Sequence, residues 1–508
     1  MLLKFIKRYQ SELIRLLLVT LLFFPVILAT KFHGSDLLLI ALLWLIWMCS
    51  RPIYLFLASF VSLSSIIYIH ILQHWGKKAF DARIEVALVS PAYEMKEYLQ
   101  TYLNGLDVFI IVYFVVLIAI MIFYKKGALR EIPKPICFIA LVLFVVSSKN
   151  IPPMKFYKEL YRAVERNKML QQRMENISKL PLKTIEDGGL YDTVVIVMGE
   201  SASRHHMAVY GYPRQTTPFL SNNPYSFCFT AIAPSNQTRL SVPLILSDVD
   251  VHHWNDFYTS PSIVSLLKNS HFNTTWISNQ RSRGRNDTSS ASISLEAENR
   301  AFLNLNAKNF SEKDIVIPRY ISQMLQRDQN QSKEAWFIHL MGSHQGYRSR
   351  YERSMVPFSD KSVQDQYDNS IFYTDYVLGK IYTLFKDRKL LMIYLSDHAE
   401  VLTQSSGGHG YDPPYKDEYD VPFVVISNVT NPYLSQIHSE NDTTQFNLDD
   451  FPCILRNILR GEEICIPRND GEVIAVTPTH LYRYETLKYS ENCRKILDRQ
   501  VKKVKVHP

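Results

Sequence analysis

The chain has 508 residues, enough for more than one domain, and 47% of them are hydrophobic. Its formal net charge of +8 is modest, and no basic block with interleaved aromatic residues occurs, which argues against nucleic acid as a partner. Neither an internal repeat nor a low-complexity tract is present, which argues against repeat proteins and low-complexity chains.

Residues 1–150 contain five apolar stretches, a density that we do not expect in a soluble domain. A helix that crosses a membrane needs about 20 apolar residues, so the second and fifth stretches must borrow flanking residues to span. We therefore predict an α-helical transmembrane domain of five spans, at roughly Leu13–Thr30, Leu37–Cys49, Ile53–Leu72, Val108–Tyr124 and Ile136–Ser148.

Basic residues predict the orientation of these spans, because positively charged loops remain in the cytoplasm. No small-residue cleavage site follows the first stretch, so we interpret it as a retained span rather than a signal peptide. Five spans that begin inside place the rest of the chain outside. The basic residues are Lys4, Lys7, Arg8 and Arg15 at the N-terminus, Arg51, and Lys125, Lys126, Arg130 and Lys134 before the fifth stretch.

Residues 151–185 are predicted to connect the membrane part to a second domain. Ile151-Pro152-Pro153 ends the last span, and Phe156–Lys179 has the pattern of a charged amphipathic helix. This helix either lies on the membrane surface or is a solvated linker. Residues 186–508 are then long enough for one large α/β domain.

Three strand-like apolar runs in this domain are each followed by side chains that bind metals. Thr193–Met198 is followed by Glu200, Ala335–Leu340 by His344, and Leu390–Ser396 by Asp397-His398. Nearly continuous apolar runs are typical of parallel strands, and ligands bind beyond the carboxyl ends of such strands. Glu, Asp and His are zinc ligands, so the pattern predicts a hydrolytic or group-transfer metal site.

The six cysteines fit an outer location for the second domain. Cys49 and Cys137 lie in the apolar stretches, whereas Cys228, Cys453, Cys465 and Cys493 lie in residues 186–508. Four cysteines in an oxidising compartment allow two disulfides in three pairings. Cys453 with Cys465 is the most local pair, and the absence of a C-x-x-C pair argues against a zinc cluster.

Five segments of the chain carry a family resemblance. They are VVIVMGESASRHHMAVYGYPRQTTP from Val194, TRLSVP from Thr238, HLMGSHQGYRSRY from His339, SDHAE from Ser396, and His409-Gly410. Together they resemble the membrane-bound phosphoethanolamine transferases of the alkaline phosphatase and sulfatase superfamily. The resemblance covers most of the chain, including the five-span anchor, and it implies an alkaline-phosphatase-like α/β domain with a mostly parallel central sheet.

The resemblance also implies the roles of individual residues. Glu200, Asp397 and His398 match zinc ligands, and Thr238 matches the nucleophile, which is also a ligand. His344 and His409 match histidines that meet the transferred phosphate or a second metal. Arg204 and Asn236 are weaker candidates for substrate contacts. One zinc site is expected, and the sequence leaves a second site open.

Other residues compete with these assignments. Ser201 is a rival nucleophile, although the second glycine of a G-x-S-x-G turn is missing. His205 and His206 would point apart on a helix, so at most one of them could enter the site. His252 and His253 are expected at the surface. Ala399 replaces the usual glycine of Asp-His-Gly-Glu, which would matter if a positive φ were required there.

The resemblance implies a transferase that moves phosphoethanolamine from phosphatidylethanolamine to lipopolysaccharide, at a core sugar or lipid A, or to another periplasmic glycan. A phosphothreonine-type intermediate, a bacterial inner-membrane location and a periplasmic catalytic domain follow from it. The shifted arginine of Gly-Glu-Ser-Ala-Ser-Arg is closer to the branch that acts on core sugars. The alternatives are a glycerophosphate-type headgroup transferase, a membrane-tethered phosphatase or sulfatase, and a non-enzymatic scaffold. We expect acceptor specificity in loops such as Phe272–Phe310, where Arg281, Arg283 and Arg285 cluster.

Overall fold

The computed structural model describes residues 2–30, 34–75, 98–124, 133–148, 152–185, 188–280, 289–304, 313–327, 333–403, 407–439, 445–466, 473–477 and 480–506. The chain forms two compact units, Met1–Glu165 and Arg166–Pro508. The basic residues Lys125, Lys126 and Arg130 and the arginine cluster at 281–285 lie outside the described residues.

Each of the five apolar stretches forms a helix in the first unit. Among the described residues, three helices are long and apolar enough to cross a membrane, namely Gln10–Thr30, Arg51–His74 and Gly105–Phe123, and two are shorter. Many large apolar side chains of these helices are exposed, such as Phe123 at 78%, as expected for contact with lipid. The helices are α1 (Leu2–Thr30), α2 (Gly34–Cys49), α3 (Arg51–Trp75), α4 (Gly105–Phe123) and α5 (Lys134–Ser148).

Specific contacts hold these helices together. A disulfide between Cys49 and Cys137, with Cα atoms 5.8 Å apart, joins α2 to α5. Both cysteines lie in the predicted apolar stretches, and no feature of the sequence predicts that they pair. The Asn104 side chain accepts hydrogen bonds from the N–H groups of Leu106 and Asp107, and the Asp107 side chain accepts one from the N–H of Asn104. This capping box begins α4 at Gly105.

The predicted connector helix is present as α6 (Pro152–Glu175). Its Arg173 side chain is fully buried and forms an ion pair of 2.5 Å with the equally buried Glu296. Arg173 also donates to the carbonyls of Phe257 and Ser260. The last turns of α6 are therefore packed into the second unit, and its C-terminal end is not a solvated linker.

The second unit is built on an eight-stranded sheet in the order β10-β2-β9-β6-β1-β5-β3-β4. Of these strands, β9 alone runs antiparallel to its neighbours. The mostly parallel sheet agrees with the predicted fold class. The strands are β1 (Thr193–Gly199), β2 (Ser226–Ile232), β3 (Asn273–Ser278), β4 (Asn299–Phe302), β5 (Glu334–His339), β6 (Leu390–Ser396), β7 (Val401–Leu402), β8 (Gly407–Gly408), β9 (Asp420–Ser427), β10 (Gln445–Asn447), β11 (Ile474–Val476) and β12 (Leu481–Arg483).

Helices cover both faces of this sheet, which explains why its strands are apolar on both sides. Val194, Ile196 and Met198 of β1 belong to one buried cluster, whereas Val195 and Val197 belong to the cluster on the opposite face. The helices are α7 (Pro218–Asn222), α8 (Thr238–Leu246), α9 (Ile263–Asn269), α10 (Ser289–Ser294), α11 (Val316–Arg327), α12 (Val363–Phe385), α13 (Pro432–Ser439), α14 (Phe451–Arg460) and α15 (Glu491–Val506).

One expectation about this unit was wrong, and one possibility that the sequence left open is not realised. The segment Phe272–Phe310 is not a loop, because it contains β3, α10 and β4, and Thr275 and Trp276 of β3 are buried between neighbouring strands. A second disulfide does not form among the four cysteines of this unit. Cys453 pairs with Cys465 as the local choice predicted, but Cys228 and Cys493 are free thiols.

Candidate metal centre

The carboxyl ends of three adjacent parallel strands, β6, β1 and β5, bring the candidate ligands to one edge of the sheet. Gly199 of β1 is in register with Ser396 of β6, so Glu200 and Asp397 emerge side by side. On the other side of β1, Met198 is in register with His339 of β5, and His344 follows that strand. The three separate sequence signals therefore converge at a single place, as the strand pattern predicted.

Thr238 completes this cluster from a different element. It is the first residue of α8, and its Oγ1 lies 3.2 Å from Glu200 Oε2 and 3.2 Å from His398 Nε2. One turn later, the Ser241 hydroxyl donates to the backbone carbonyl of Asp397. This hydrogen bond fastens the start of α8 to the end of β6, and Thr238 is consequently held at the strand edge rather than in a loop.

Glu200, Asp397 and His398 form a compact and fully enclosed group. One donor atom from each lies within 4.8 Å of the others, and all three residues are buried. Nε2 of His398 lies 3.3 Å from Glu200 Oε1 and 3.4 Å from Asp397 Oδ2. Two carboxylates this close in a buried place repel each other unless positive charge is present.

The proton affinities of the group show how strongly its members interact. Burial and the neighbouring Glu200 raise the pKa of Asp397 above its ordinary value. Burial alone would lower the pKa of His398, but the charges of Asp397 and Glu200 raise it to about 10. For Glu200, the hydrogen bond and charge of His398 outweigh burial and hold its pKa well below the usual range. The cluster thus stabilises positive charge at its centre.

The residues present fit a divalent cation at this centre. Asp397 Oδ2 is buried and receives no hydrogen bond of normal geometry from any described residue, although its other oxygen accepts from the N–H groups of Ser201 and His398. Buried carboxylate oxygens are rarely left unpaired. Two carboxylates, one imidazole and one hydroxyl are also a donor set that suits zinc.

Two further residues hold Glu200 in place. Ser201 has a left-handed φ of 58°, which is uncommon outside glycine. Its Oγ donates to Glu200 Oε1 at 2.9 Å. Gly342 approaches the Glu200 backbone so closely that a Cβ there would lie 2.8 Å from the Glu200 nitrogen. The Ser201 hydroxyl therefore helps to fix the position of the Glu200 carboxylate.

Gln280 also contacts Glu200, and we did not anticipate it from the sequence. Its Nε2 donates to Glu200 Oε2 at 3.0 Å and to the carbonyl of Leu340 at 3.1 Å. The available signal was its position two residues beyond β3, which ends at the same sheet edge. The mixed polarity of β3 (NTTWIS) concealed this strand, because the three runs that we used are more continuously apolar.

His344 and His409 lie beside the cluster. The ring centroids of His409 and His398 are 4.0 Å apart, and His409 Nδ1 lies 3.1 Å from Glu400 Oε1. Burial raises the pKa of Glu400 to about 7. Both histidines are close enough for their positive charge to help lower the pKa of Glu200. His344 lies in the loop that follows β5, and His409 directly follows β8.

The structure does not bring Arg204 and Asn236 into the cluster. Arg204 forms an ion pair of 3.0 Å with the buried Asp420 and donates to the carbonyl of Ala231. The Asn236 amide donates to the carbonyl of Tyr411 and to Glu418 Oε1, both at 3.0 Å. These contacts bind loops of the domain together, and a substrate role for either residue stays a prediction.

The remaining histidines lie elsewhere in the second unit. His205 and His206 are buried but pair with different carboxylates, Asp420 and Asp368, and neither joins the metal-ligand group. His252 and His253 are exposed, as we expected. Ala399 needs no glycine-like backbone, since the non-glycine residues with positive φ in the described part of the chain are Ser201, His271 and Asp360.

Sequence comparisons identify the family and place known relatives around it. The sulfatase family model matches residues 192–455, a little over half of the chain. The putative transferase YhbX of Escherichia coli K12 is 32% identical over 253 residues, covering 48% of this chain and 44% of that protein. A putative phosphoethanolamine transferase of Haemophilus influenzae is 30% identical over 279 residues, covering 51% of this chain and 56% of that protein. The chain thus matches about half the length of these curated relatives.

Solved structures show the same fold. The C-terminal periplasmic domain of EptC from Escherichia coli, in complex with Zn, aligns with a TM-score of 0.53 at 22% identity and covers 61% of this chain and 98% of that one. The integral membrane lipooligosaccharide phosphoethanolamine transferase A of Neisseria meningitidis aligns with a TM-score of 0.56 at 16% identity and covers 91% of this chain and 96% of that one. The resemblance seen in the sequence motifs is therefore confirmed. The chain belongs to the sulfatase family, and phosphoethanolamine transferases are among its homologues.

Proposed function

We propose that the protein is a zinc-dependent phosphoethanolamine transferase that uses Thr238 as its nucleophile. The observation that carries this proposal is the position of the Thr238 hydroxyl, 3.2 Å from both Glu200 Oε2 and His398 Nε2. A threonine hydroxyl is a weak nucleophile at neutral pH and requires activation. The homologues that are named phosphoethanolamine transferases support the choice of transferred group.

Glu200, Thr238, Asp397 and His398 would hold the zinc ion, which when bound favours the alkoxide form of an alcohol ligand and offsets charge on phosphate oxygens. The chain itself supplies the alcohol, its orientation and a buried surrounding. Thr238 begins α8, and the positive end of the helix dipole favours a phosphate there. We assign His344 and His409, which are half-buried beside the cluster, to contacts with the phosphate oxygens.

The reaction has two balanced half-reactions. In the first, a bond forms between Thr238 Oγ1 and the phosphorus of phosphatidylethanolamine, and the bond between phosphorus and the diacylglycerol oxygen breaks. The hydroxyl proton leaves Thr238, and the diacylglycerol oxygen takes up a proton. In the second, an oxygen of the acceptor displaces Thr238 from the phosphorus, and the proton that an acceptor hydroxyl loses balances the proton that Thr238 regains.

The proposed location follows from the donor. Phosphatidylethanolamine lies in a bilayer, and the apolar helices of residues 1–150 would anchor the enzyme beside it as a multi-pass protein of the bacterial inner membrane. Residues 186–508 would form the periplasmic catalytic domain, with 151–185 as the connector. The acceptor would be lipopolysaccharide, at a core sugar or lipid A, or another periplasmic glycan.

A second zinc ion at this sheet edge has less support than the first, and the sulfatase alternative has less support than the transferase. The described residues at the sheet edge offer one compact group of ligands, Glu200, Asp397 and His398. The C/S-x-P-x-R motif that precedes formylglycine in sulfatases is absent from the sequence, which counts against sulfate-ester hydrolysis.

Labelling of the intact protein tests the proposal. Full-length protein in detergent is incubated with headgroup-labelled phosphatidylethanolamine or, separately, phosphatidylglycerol. We expect label on the protein from the first lipid, a gain of one phosphoethanolamine unit by mass spectrometry at Thr238, and none in Thr238→Ala. Thr238→Ser should retain measurable labelling. Thr259→Ala, which alters an exposed threonine bonded only to the carbonyl of Asp256, is the matched control.

Two results would overturn these assignments. Labelled Thr238→Ala protein would remove the nucleophile, and label from phosphatidylglycerol alone would favour the glycerophosphate-type transferase instead. Mass spectrometry of envelope glycans from cells with and without the gene then identifies the acceptor, because the product carries one additional phosphoethanolamine unit.

A further inference from the structure

A second group of metal-binding side chains lies in the helical unit, where α3 ends and α4 begins. His70 and His74 are four residues apart on α3, so their imidazoles project from the same side of the helix. Asp107 reaches them from the first turn of α4. One donor atom from each of these three residues lies within 4.8 Å of the other two.

The carboxylate at the centre of this group is almost completely enclosed. The Asp107 side chain is 4% exposed, and those of His70 and His74 are 16% and 20% exposed. A buried carboxylate among apolar helices is costly unless positive charge or hydrogen bonds compensate it. The capping box also fixes its orientation, because Oδ2 accepts from the Asn104 N–H at 3.0 Å.

Aromatic residues orient the two imidazoles. The Tyr98 hydroxyl lies 2.8 Å from His70 Nε2, which leaves His70 Nδ1 to face Asp107. The ring of Tyr102 packs edge-on against His74 with centroids 5.3 Å apart. A hydrogen bond to the far nitrogen of an imidazole, as at His70, is a usual feature of metal-binding histidines, because it selects the tautomer and the ring direction.

The distances allow a shared cation, although the contact between His70 and Asp107 is also that of an ordinary hydrogen bond. His70 Nδ1 is within hydrogen-bond distance of Asp107 Oδ1 at 2.9 Å, but His74 Nε2 is 3.8 Å from Oδ2. Ligand bonds of about 2 Å at tetrahedral angles separate two donor atoms by about 3.4 Å. The pair formed by His74 and Asp107 is already near that separation, and the pair formed by His70 and Asp107 would open by a few tenths of an ångström.

We propose that His70, His74 and Asp107 bind a divalent cation of the zinc class, with water in the remaining position. The site would fasten the end of α3 to the start of α4. The amino terminus of α4 repels a cation weakly, and the buried Asp107 carboxylate, which lies in that first turn, offsets this repulsion. The proposal is independent of the transferase function, since none of the three residues belongs to the group formed by Glu200, Thr238, Asp397 and His398.

Counting bound metal tests the proposal without an activity assay. Full-length protein in detergent is stripped with a chelator, dialysed against a low concentration of zinc and analysed by elemental mass spectrometry. We expect two zinc ions per chain in the unmodified protein and one in Glu200→Gln/Asp397→Asn. Adding His74→Ala to that double variant should remove the remaining ion, whereas adding His253→Ala, at a histidine whose side chain is 72% exposed, should not.

Cobalt provides a second measurement that needs no change in the helical unit. Cobalt bound to the Glu200→Gln/Asp397→Asn protein should show the visible absorption of a low-symmetry nitrogen and oxygen site. Absence of both zinc and this absorption in that double variant would overturn the proposal, and the three residues would then be a hydrogen-bonded network. An unchanged metal content after His74→Ala would overturn it equally.

Discussion

Replacing Gly342 by alanine tests whether close packing against Glu200 shapes the metal centre. Gly342 has a φ of +49°, and an added Cβ would lie 2.8 Å from the Glu200 nitrogen and 2.9 Å from its carbonyl oxygen. A left-handed backbone costs alanine about 1–2 kcal/mol, and forcing a methyl group into a packed place costs about 1–3 kcal/mol. We therefore expect Gly342→Ala to lose about 2–5 kcal/mol and to bind zinc more weakly.

Gly211 is a matched control for this substitution. It also has a left-handed backbone, with a φ of +86°, but an added Cβ there meets nothing within 4 Å. Gly211→Ala should therefore show only the backbone cost of about 1–2 kcal/mol, with unchanged zinc affinity. The difference between the two variants isolates the overlap with Glu200.

Two measurements on full-length protein decide the outcome. Thermal unfolding followed by tryptophan fluorescence reports stability, and competition with a coloured chelator reports zinc affinity. If both glycine variants lose the same stability and both bind zinc as the unmodified protein does, the close contact does not position Glu200, and this reasoning is refuted.

Three other predictions concern the stability of the second unit. Burial would raise the pKa of Asp420, but Arg204 and His205 lower it to about 2. This pKa is below the unfolded value of 3.8, so the ionised carboxylate stabilises the folded protein by about 2 kcal/mol. That contribution is present above about pH 4 and is lost as the pH falls to about 2. Melting temperatures of Asp420→Asn should thus depend less on pH in that window, and a slope equal to that of unmodified protein would contradict the assignment. Arg173→Met should lower the free energy of unfolding by about 3–5 kcal/mol, because the buried Glu296 loses its positively charged partner. In denaturant titrations, the double variant with Glu296→Gln should recover much of this loss. No recovery would mean that the packing of Arg173 dominates. The disulfide between Cys453 and Cys465 joins residues 12 positions apart, and its removal in Cys453→Ser/Cys465→Ser should lower the free energy of unfolding by about 3 kcal/mol in the loop-entropy view. The control Cys228→Ser, at a free thiol, should have an almost unchanged melting temperature. Equal melting temperatures of the two variants would refute a stabilising role for the disulfide.

Local patterns in the sequence predicted the parts of the molecule that depend on neighbours along the chain. The apolar runs at Thr193, Ala335 and Leu390 are strands within a residue of the expected bounds, because both faces of a buried parallel strand must be apolar. The five apolar stretches are helices, and three of them reach the length of a membrane span. The candidate ligands that follow each strand could consequently be named in advance.

Sequence by itself thus determined that an acid, a histidine loop and an Asp-His pair follow strands of one sheet. Tertiary structure decided which of the other polar residues meet them, because the strand order β6-β1-β5-β3 is set by packing between distant elements. Gln280 reaches Glu200 since β3 lies beside β5, and Arg204 turns to Asp420 of β9. Local sequence patterns do not predict these contacts, because the partner of a side chain depends on which strands lie next to each other in the folded core.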